Sequence, residues 1–319
     1  MLLSVYTAIE LPRSTFFGMT SYREQKNMKK IVWALICIIL AFTYGVSVGA
    51  LQIFPYDFLQ KIYTYIRSPV SDSEEIINLE VCSIPEISEI PYGATVVIGH
   101  AYGKFLPNSY YIAKKVEQFL ELQRNKIRQV IFTGDVFKEP SIAQWEKLYE
   151  QFSASFDVFV APGNHDIAKL AAADIFALSP FNFRGAKRIN SDSAVLIIEN
   201  SISSNWLINP STKALLQDNA NSSMFLLRHN IPIIELIMFA NSIEFKSPNL
   251  PTAENFTKQF GELEKLVIIS GDSGAKAHLP RQTCHRYQNF TFISNGIGEV
   301  IGDRILVIEG ETIYSYPLD

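Results

Sequence analysis

The sequence has little charge and no excess of basic residues. Only 19% of its 319 residues are charged, and 28 Lys and Arg against 32 Asp and Glu leave a net charge of −4. No basic stripe occurs, so the composition argues against a nucleic acid as partner. Fixed-period repeats and low-complexity tracts are also missing, which excludes solenoid architectures. The 48% hydrophobic content suffices for a sizeable core in one large or two small domains.

Cysteine is scarce as well. Of the three cysteines, Cys37 lies within a long apolar run, which leaves Cys82 and Cys284 in the remainder of the chain. In an oxidising compartment these two could form a disulfide, whereas two isolated cysteines are equally compatible with buried thiols. The sequence leaves both readings open.

One long uncharged run is present near the N-terminus. Residues 31–51 read IVWALICIILAFTYGVSVGAL, which reaches the roughly 20 apolar residues needed to cross a bilayer. Lys26, Lys29 and Lys30 directly precede it, and positive charge stays on the cytoplasmic side. We therefore predict a single-pass protein of the cell membrane, with a cytoplasmic leader (1–30), a transmembrane anchor (31–51) and the rest of the chain outside.

Two other readings of this run remain. A cleaved signal peptide is the first, because Gly49 and Ala50 offer small residues for cleavage. A buried core helix is the second. Met28 is a candidate alternative start. Beyond the run, residues 52–90 predict a juxtamembrane helix and a polar connector, and residues 91–319 predict one domain.

Short apolar strands alternate with amphipathic helices from residue 93 onward. The helices are predicted over residues 110–128 and 144–152. Apolar runs of four to six residues that end in small or polar clusters are typical of buried strands in a layered α/β domain. The predicted strands are ATVVIGHA, QVIFTGD, DVFVAPGNHD, SAVLIIEN, SMFLLRHN, KLVIISGD, FTFISNG and RILVIEG.

Polar side chains follow five of these strands directly. Ligands gather at the carboxyl ends of strands in open α/β sheets. The residues are His100, Asp135, Asn164 with His165, His229, and Asp272. Each one alone also fits a turn, a helix N-cap or a hydrogen-bonded histidine. Together they offer the mixed oxygen and imidazole ligands that Mn, Fe or Zn take.

The order FTGDVF, APGNHD, LRHNIP and ISGDSGA resembles the calcineurin-like metallophosphoesterases over residues 94–316. The resemblance implies a layered α/β sandwich with central mixed β-sheets and a two-metal centre. It places Asp135 as the bridging ligand and Asn164 and His229 on the second metal. It also gives His165 the task of assisting the leaving group, oriented by Asp166; a purely stabilising loop role is the alternative for His165.

Two motifs depart from the family pattern. His100 and Tyr102 stand where the family has Asp and His of D-x-H, and Asp272 and Gly274 stand where it has the two histidines of G-H-x-H. The second site would keep Asp135, Asn164, His229 and Asp272. The first would keep only His100 and Asp135, with Tyr102 as a possible ligand. We therefore predict one divalent ion (Mn, Fe or Zn) and a weak or absent second. His278 is predicted to have a surface or supporting role, with replacement of the lost histidine ligand as the alternative, and His285 is predicted to be structural.

The function predicted from this resemblance is a metal-dependent phosphoester hydrolase that acts outside the cytoplasmic membrane. In it a metal-bound hydroxide attacks phosphorus, His165 and His100 are the catalytic groups, and the substrate is a phosphate ester of the cell envelope. The IGHAYG variant resembles a set in bacterial envelope metallophosphoesterase-like proteins. The alternative is a catalytically impaired relative that binds a phosphate-bearing glycan or lipid in envelope polysaccharide assembly.

Overall fold

A computed structural model of the chain describes most of residues 79–319 and a short N-terminal helix. The described residues are 30–46, 79–103, 111–167, 185–190, 193–203, 207–220, 222–233, 235–236, 251–261, 263, 265–273, 281–299 and 301–318. The chain divides into two compact units, residues 1–58 and residues 59–319.

The first unit is described only as a helix over residues 30–46, whose large apolar side chains are exposed. Within the described part of the chain, no helix is both long and apolar enough to cross a membrane. Residues 1–29 and 47–78, which contain most of the predicted leader, the end of the predicted anchor and most of the predicted juxtamembrane segment, lie outside the described residues.

The second unit contains two mixed β-sheets, as the predicted α/β fold requires. The seven-stranded sheet has the order β1-β9-β10-β8-β7-β6-β5, and the five-stranded sheet has the order β12-β11-β2-β3-β4. Strands β2, β3 and β4 run parallel, as do β6, β7, β8 and β10. The strands are β1 Glu80–Val81, β2 Ala94–Ile98, β3 Ile127–Phe132, β4 Asp157–Val160, β5 Ala186–Asn190, β6 Val195–Glu199, β7 Met224–Arg228, β8 Leu266–Ser270, β9 Gln282–Tyr287, β10 Phe290–Asn295, β11 Arg304–Glu309 and β12 Thr312–Pro317.

Helices connect the strands of both sheets. Ser141 caps the helix Ile142–Phe152 by accepting a hydrogen bond from the Gln144 amide. Asn209 caps the helix Pro210–Gln217, which has a proline at its first position. Both signals are typical of helix starts. The helices are α1 Lys114–Gln123, α2 Ile142–Phe152, α3 Asn164–Ile167, α4 Pro210–Gln217 and α5 Ala253–Thr257, with a 3₁₀ turn at Lys258–Phe260.

The core forms layers because successive strand residues point to opposite faces. In β7, Leu227 belongs to the core cluster shared by the two sheets, and Leu226 belongs to the cluster on the outer face of the seven-stranded sheet. Arg228 follows the same alternation: it pairs with Glu199 at 3.4 Å and lies over the Phe256 ring. The next residue, His229, therefore points between the sheets.

The segment that precedes the predicted domain start at residue 91 is part of the fold. Residues 80–87, here called the strap, join the outer edges of both sheets. Strand β1 pairs with β9 at one edge. At the other edge Ile87 and Pro85 exchange backbone hydrogen bonds with Ser315 of β12. The alternative left open by the cysteine count is settled here, because Cys82 of the strap is bonded to Cys284 of β9.

We expect loss of this disulfide to destabilise the domain. The bond closes a sequence separation of 202 residues, and such cross-links restrict the unfolded chain. Replacing Cys82 and Cys284 together by serine should lower the free energy of unfolding by about 3 kcal/mol, measured by urea unfolding without reductant. Cys37→Ser is the matched control because Cys37 is a free, exposed thiol. An unchanged urea midpoint in the double variant would contradict the expectation.

Candidate metal centre

The carboxyl ends of four strands bring four predicted ligands to one point between the sheets. The Nε2 atom of His229 lies 3.0 Å from Asn164 Oδ1, 3.5 Å from Asp135 Oδ1 and 4.0 Å from Asp272 Oδ1. One ligand atom each from Asp135, His229 and Asp272 lie within 4.8 Å of one another. These residues come from the loops after β3, β4, β7 and β8, so separate parts of the sequence meet here.

The orientation of His229 suits a cation. Its Nδ1 lies 3.1 Å from the Thr133 carbonyl oxygen and donates its proton there, so Nε2 is the ring nitrogen that faces Asn164 Oδ1 and the two carboxylates. Burial lowers the pKa of His229, but Asp135 and Asp272 outweigh burial and raise that pKa above its ordinary value. The negative field at Nε2 therefore favours a positive charge, and the donor set fits a divalent ion.

Glycines let the ends of the strands approach each other closely at this point. A Cβ on Gly134 would lie 2.4 Å from His229 Nδ1, and a Cβ on Gly163 would lie 2.3 Å from Asp135 Oδ1. At Gly271 the same atom would lie 1.7 Å from the Thr133 carbonyl oxygen. No side chain fits at these distances, so the glycines preserve the close contact between the strand ends.

Two site residues adopt a backbone conformation that is uncommon for residues other than glycine. His100 has a φ of 52° and Asp135 a φ of 53°. Such left-handed conformations cost free energy and are concentrated at functional sites. The backbone hydrogen bond from the His100 amide to the Gly134 carbonyl holds the two loops together.

His100 lies on the other side of Asp135 from His229. Its Nε2 is 3.8 Å from Asp135 Oδ2, and its Nδ1 lies 3.2 Å from the Ile297 carbonyl oxygen. Burial lowers the pKa of His100 to about 4, although Asp135 acts in the opposite direction. His100 is thus a neutral imidazole with its Nε2 lone pair facing the carboxylate.

Tyr102 lies between two histidines. Its ring centroid is 4.2 Å from that of His100 and 5.5 Å from that of His165, and its amide donates to the Asp135 carbonyl. Burial, together with Asp135 and Asp272, raises the pKa of Tyr102 well above its ordinary value. In the metal-free site the phenol is therefore favoured over the phenolate.

His165 is half-buried beside Asp135, whose Oδ1 accepts a hydrogen bond from the His165 amide at 3.1 Å. Its imidazole is oriented by the Lys138 carbonyl, 3.0 Å from Nδ1. The prediction that Asp166 orients this ring is corrected. The Asp166 oxygens instead accept hydrogen bonds from the backbone amides of Val136, Phe137 and Gly163.

Asp166 therefore joins the loop that carries Asp135 to the loop that carries Asn164. Burial and the neighbouring Asp135 raise the pKa of Asp166 to about 7, while the amide of Gly163 acts in the opposite direction. A buried carboxylate at this position links backbone to backbone and leaves the imidazole of His165 to the Lys138 carbonyl.

The remaining histidines lie apart or outside the description. Gly274 and His278 fall in residues 274–280, outside the described residues. His285 is buried within β9, where its backbone pairs with Phe292 of β10.

Acid should destabilise the metal-free protein partly through His100. Its folded-state pKa of about 4 lies below its ordinary value of 6.5, so between these values the unfolded chain binds the extra proton and stability falls as the pH falls. The expected loss approaches about 1.4 kcal/mol per pH unit. Urea unfolding in EDTA at several pH values should give a smaller slope for His100→Gln than for wild type. Equal slopes would contradict this assignment.

Sequence reasoning missed the groups that orient the site. The imidazoles of His229, His100 and His165 are held by the carbonyls of Thr133, Ile297 and Lys138. Every residue type has a backbone carbonyl, so the sequence does not indicate which carbonyl will orient a histidine. The position of Thr133 directly before the Gly134–Asp135 pair was the only hint.

Comparison with known proteins supports one family. The model of the calcineurin-like phosphoesterases matches residues 107–249. That span contains Asp135, Asn164, His165 and His229, and it excludes His100 and Asp272, two of the positions where the sequence departs from the family motifs. The two mixed sheets are consistent with that family. No curated protein matches the sequence.

Several solved structures match part of this chain, each at low identity and with a TM-score below 0.5. A purple acid phosphatase from yellow lupin (Lupinus luteus) seeds is 12% identical with a TM-score of 0.45, over 73% of this chain and 55% of that one. The chain thus spans about half of that phosphatase. Phosphopantetheinyl hydrolase from Mycobacterium tuberculosis is 13% identical (TM-score 0.37; 66% and 92% covered). Vps29 from Chaetomium thermophilum is 13% identical (TM-score 0.34; 70% and 88% covered).

The span from residue 107 to residue 249, which carries the GD, GNHD and RHN motifs, is therefore similar to the calcineurin-like phosphoesterases.

Proposed function

We propose that this protein is a metal-dependent phosphoester hydrolase whose reaction takes place at Asp135, Asn164, His229 and Asp272. The observation that carries the proposal is the convergence of Asp135, His229 and Asp272 within 4.8 Å. The match of residues 107–249 to the calcineurin-like phosphoesterases supports the same chemistry. Metal dependence follows from the donor set, since carboxylate, amide oxygen and imidazole together suit Mn, Fe or Zn.

The four residues would hold one ion. Bound there, a divalent ion supplies Lewis acidity and an activated water. The Asp135 carboxylate faces both His229 and His100, so it is the ligand with the widest reach. On the His100 side, the neutral phenol of Tyr102 replaces a histidine ligand, and this difference favours a single ion over a pair.

His165 is the proposed acid for the leaving group. Its Nδ1 donates to the Lys138 carbonyl, which fixes the orientation of the ring and leaves Nε2 on the side away from that carbonyl. The ring is half-buried, so Nε2 can reach a bound ester. Because Nδ1 of His100 donates to the Ile297 carbonyl, its Nε2 is left as an acceptor. This geometry favours His100 as a ligand or base over a role as donor to phosphate.

The direct test is elemental analysis combined with hydrolysis assays. Full-length protein in detergent should contain one Mn, Fe or Zn per chain and hydrolyse 4-nitrophenyl phosphate or its bis-ester. EDTA should abolish turnover, and the matching metal should restore it. Two ions per chain would mean that Tyr102 or another group completes a second site. No ion and no turnover with any of the three metals would overturn the proposal.

A binding protein is the second candidate. The observation that favours it is the Tyr102 ring, which lies 4.2 Å from the His100 ring. Tyr102 occupies the side of the site that lacks a second histidine ligand. Such a protein would be a catalytically impaired relative that holds a phosphate-bearing glycan or lipid. It predicts saturable binding of a phosphorylated glycolipid in nanodiscs, without release of phosphate. Turnover of any phosphoester would decide against it.

We further propose that the domain acts outside the cytoplasmic membrane, on a phosphate ester of the cell envelope. The bond between Cys82 and Cys284 supports this location, since disulfides persist in oxidising compartments. The lysine-flanked apolar run over residues 31–51 supports a single-pass anchor. Protease added to intact cells stripped of their outer layers should digest the domain. Protection of the domain until the membrane is broken would contradict this placement.

A further inference from the structure

Asp303, which lies outside the metal centre, carries a fully buried carboxylate. Asp303 lies in the turn before β11, with no exposed surface. Burying a carboxylate is costly unless it is paired and hydrogen-bonded. Asp303 Oδ2 lies 3.2 Å from Lys115 Nζ, and Oδ1 lies 3.9 Å from Arg281 Nε and accepts a hydrogen bond from the Gly298 amide at 3.0 Å. The residue thus connects helix α1, the start of β9 and the loop after β10.

The contact with Gly298 leads to His100. The preceding residue, Ile297, donates its amide to the Gly99 carbonyl, and its own carbonyl holds His100 Nδ1. The loop that orients His100 is therefore fixed on its other side by the Asp303 carboxylate. This support comes from outside strand β2, which leads to His100.

The contact with Arg281 leads to Asp272. Arg281 donates from a terminal nitrogen to the carbonyl of Ser273, the residue directly after Asp272, at 3.5 Å. The Arg281 carbonyl also accepts the Gly296 amide of the loop after β10. A guanidinium held by a buried carboxylate offers a fixed set of donors. The loop that carries Asp272 is thereby tied to the same acid as the loop that orients His100.

The contact with Lys115 leads to Tyr102. Lys115 lies in the first turn of α1, and Ala113, which precedes that helix, donates its amide to the Ala101 carbonyl at 2.7 Å. All three segments bound by Asp303 therefore contact a neighbour of a site residue. Those site residues, His100, Tyr102 and Asp272, are three of the four positions where the sequence departs from the family motifs.

We propose that Asp303 is a positioning residue for the metal centre, acting on His100 through Gly298 and on Asp272 through Arg281. Its link to metal binding rests on the proposed function; its link to the two loops does not. Removing the charge would weaken the contacts of Asp303 with Arg281 and Lys115, and the contact of Arg281 with Ser273 would loosen with them. Both loops would then open more often.

The test compares Asp303→Asn with wild type in two measurements. Backbone hydrogen exchange in metal-free protein should be at least about 10-fold faster at residues 271–273 and at 296–298. The dissociation constant for Mn²⁺, measured by calorimetry, should rise about 10-fold or more, as for other residues that orient ligands. The matched control is Glu86→Gln. Glu86 is an exposed acid that pairs with Arg304, and Arg304 directly follows Asp303 in the chain. The effect of this control on both measurements should be within about twofold.

The two measurements separate the outcomes. If wild type binds no Mn²⁺ and has no activity, the proposed function fails, and the exchange at residues 271–273 still decides the role of Asp303. If Asp303→Asn does not fold, Arg281→Met replaces it and should accelerate exchange at residues 271–273 while Gly298 remains bonded to Asp303. The proposal is overturned if the folded variant exchanges residues 271–273 at the wild-type rate. It is also overturned if wild type binds Mn²⁺ and the variant binds it with the same affinity.

Discussion

Asp135→Asn should lower kcat/KM for phosphoester hydrolysis about 10³-fold, the effect expected from losing several kcal/mol of metal-derived stabilisation. Asp135 is the residue on which the site converges: its carboxylate lies 3.5 Å from His229 Nε2 and 3.8 Å from His100 Nε2, and it accepts the amide of His165. Asparagine has nearly the same shape and keeps an oxygen for that amide, but it lacks the negative charge. The loss should therefore appear as fewer ions per chain and lower turnover, with an unchanged fold.

Asp157→Asn is the matched control, because Asp157 is an exposed aspartate at the start of β4. Hydrolysis rates and metal content, measured side by side for the two variants, should differ only for Asp135→Asn. Activity of Asp135→Asn within tenfold of wild type, or an equal metal content, would show that the reaction does not depend on this carboxylate.

Gly271→Ala should cost about 4 kcal/mol of folding free energy or prevent folding, an effect at the upper end for a single substitution. The new Cβ would lie 1.7 Å from the Thr133 carbonyl and 2.6 Å from the Thr133 hydroxyl oxygen. Thr133 cannot withdraw, since its carbonyl holds His229 and its amide is bonded to Ile98. The two sheets would have to separate at the metal centre, so activity should be lost even in the fraction that folds.

Gly302→Ala separates this clash from the ordinary effect of removing a glycine. Gly302 has a φ of +88° with open space around its missing Cβ, so alanine there meets only backbone strain, which should cost about 1 kcal/mol. Urea unfolding of both variants gives the comparison. Similar losses in the two would mean that the contact of Gly271 with Thr133 does not limit the approach of the sheets.

The strands that contain a run of apolar residues could be predicted from the sequence, including β4 at the edge of its sheet, whereas β1, β5 and β9 could not. Residues 224–227 and 266–269 are apolar throughout because both faces of β7 and β8 are covered. Strand β9, with the sequence QTCHRY, has only two buried residues, so its pattern carries no apolar run. Strands β1 and β5 were missed for a similar reason: each pairs with a single antiparallel neighbour at the edge of the sheet.

The site shows the same division between side chains and their supports. The chemistry of Asp135, Asn164, His229 and Asp272 could be proposed from residue type and strand position, because the carboxyl ends of parallel strands meet at one edge. Their convergence agrees with that expectation, while their roles as ligands remain predictions. The supports could not be foreseen: Asp166 binds amides of another loop, and Asp303 lies more than 30 residues after Asp272 in what the sequence presents as a turn.

The position of the strap determines where a mechanical load from the preceding chain would enter the domain. Traction on the backbone ahead of residue 79 reaches β9 through Cys82 and β12 through Pro85 and Ile87. From β9 the load must cross β10 before it reaches β8, and from β12 it must cross β11 before it reaches β2. A load that enters at this end therefore passes through at least one intervening strand before it reaches the strands that lead to His100 and Asp272.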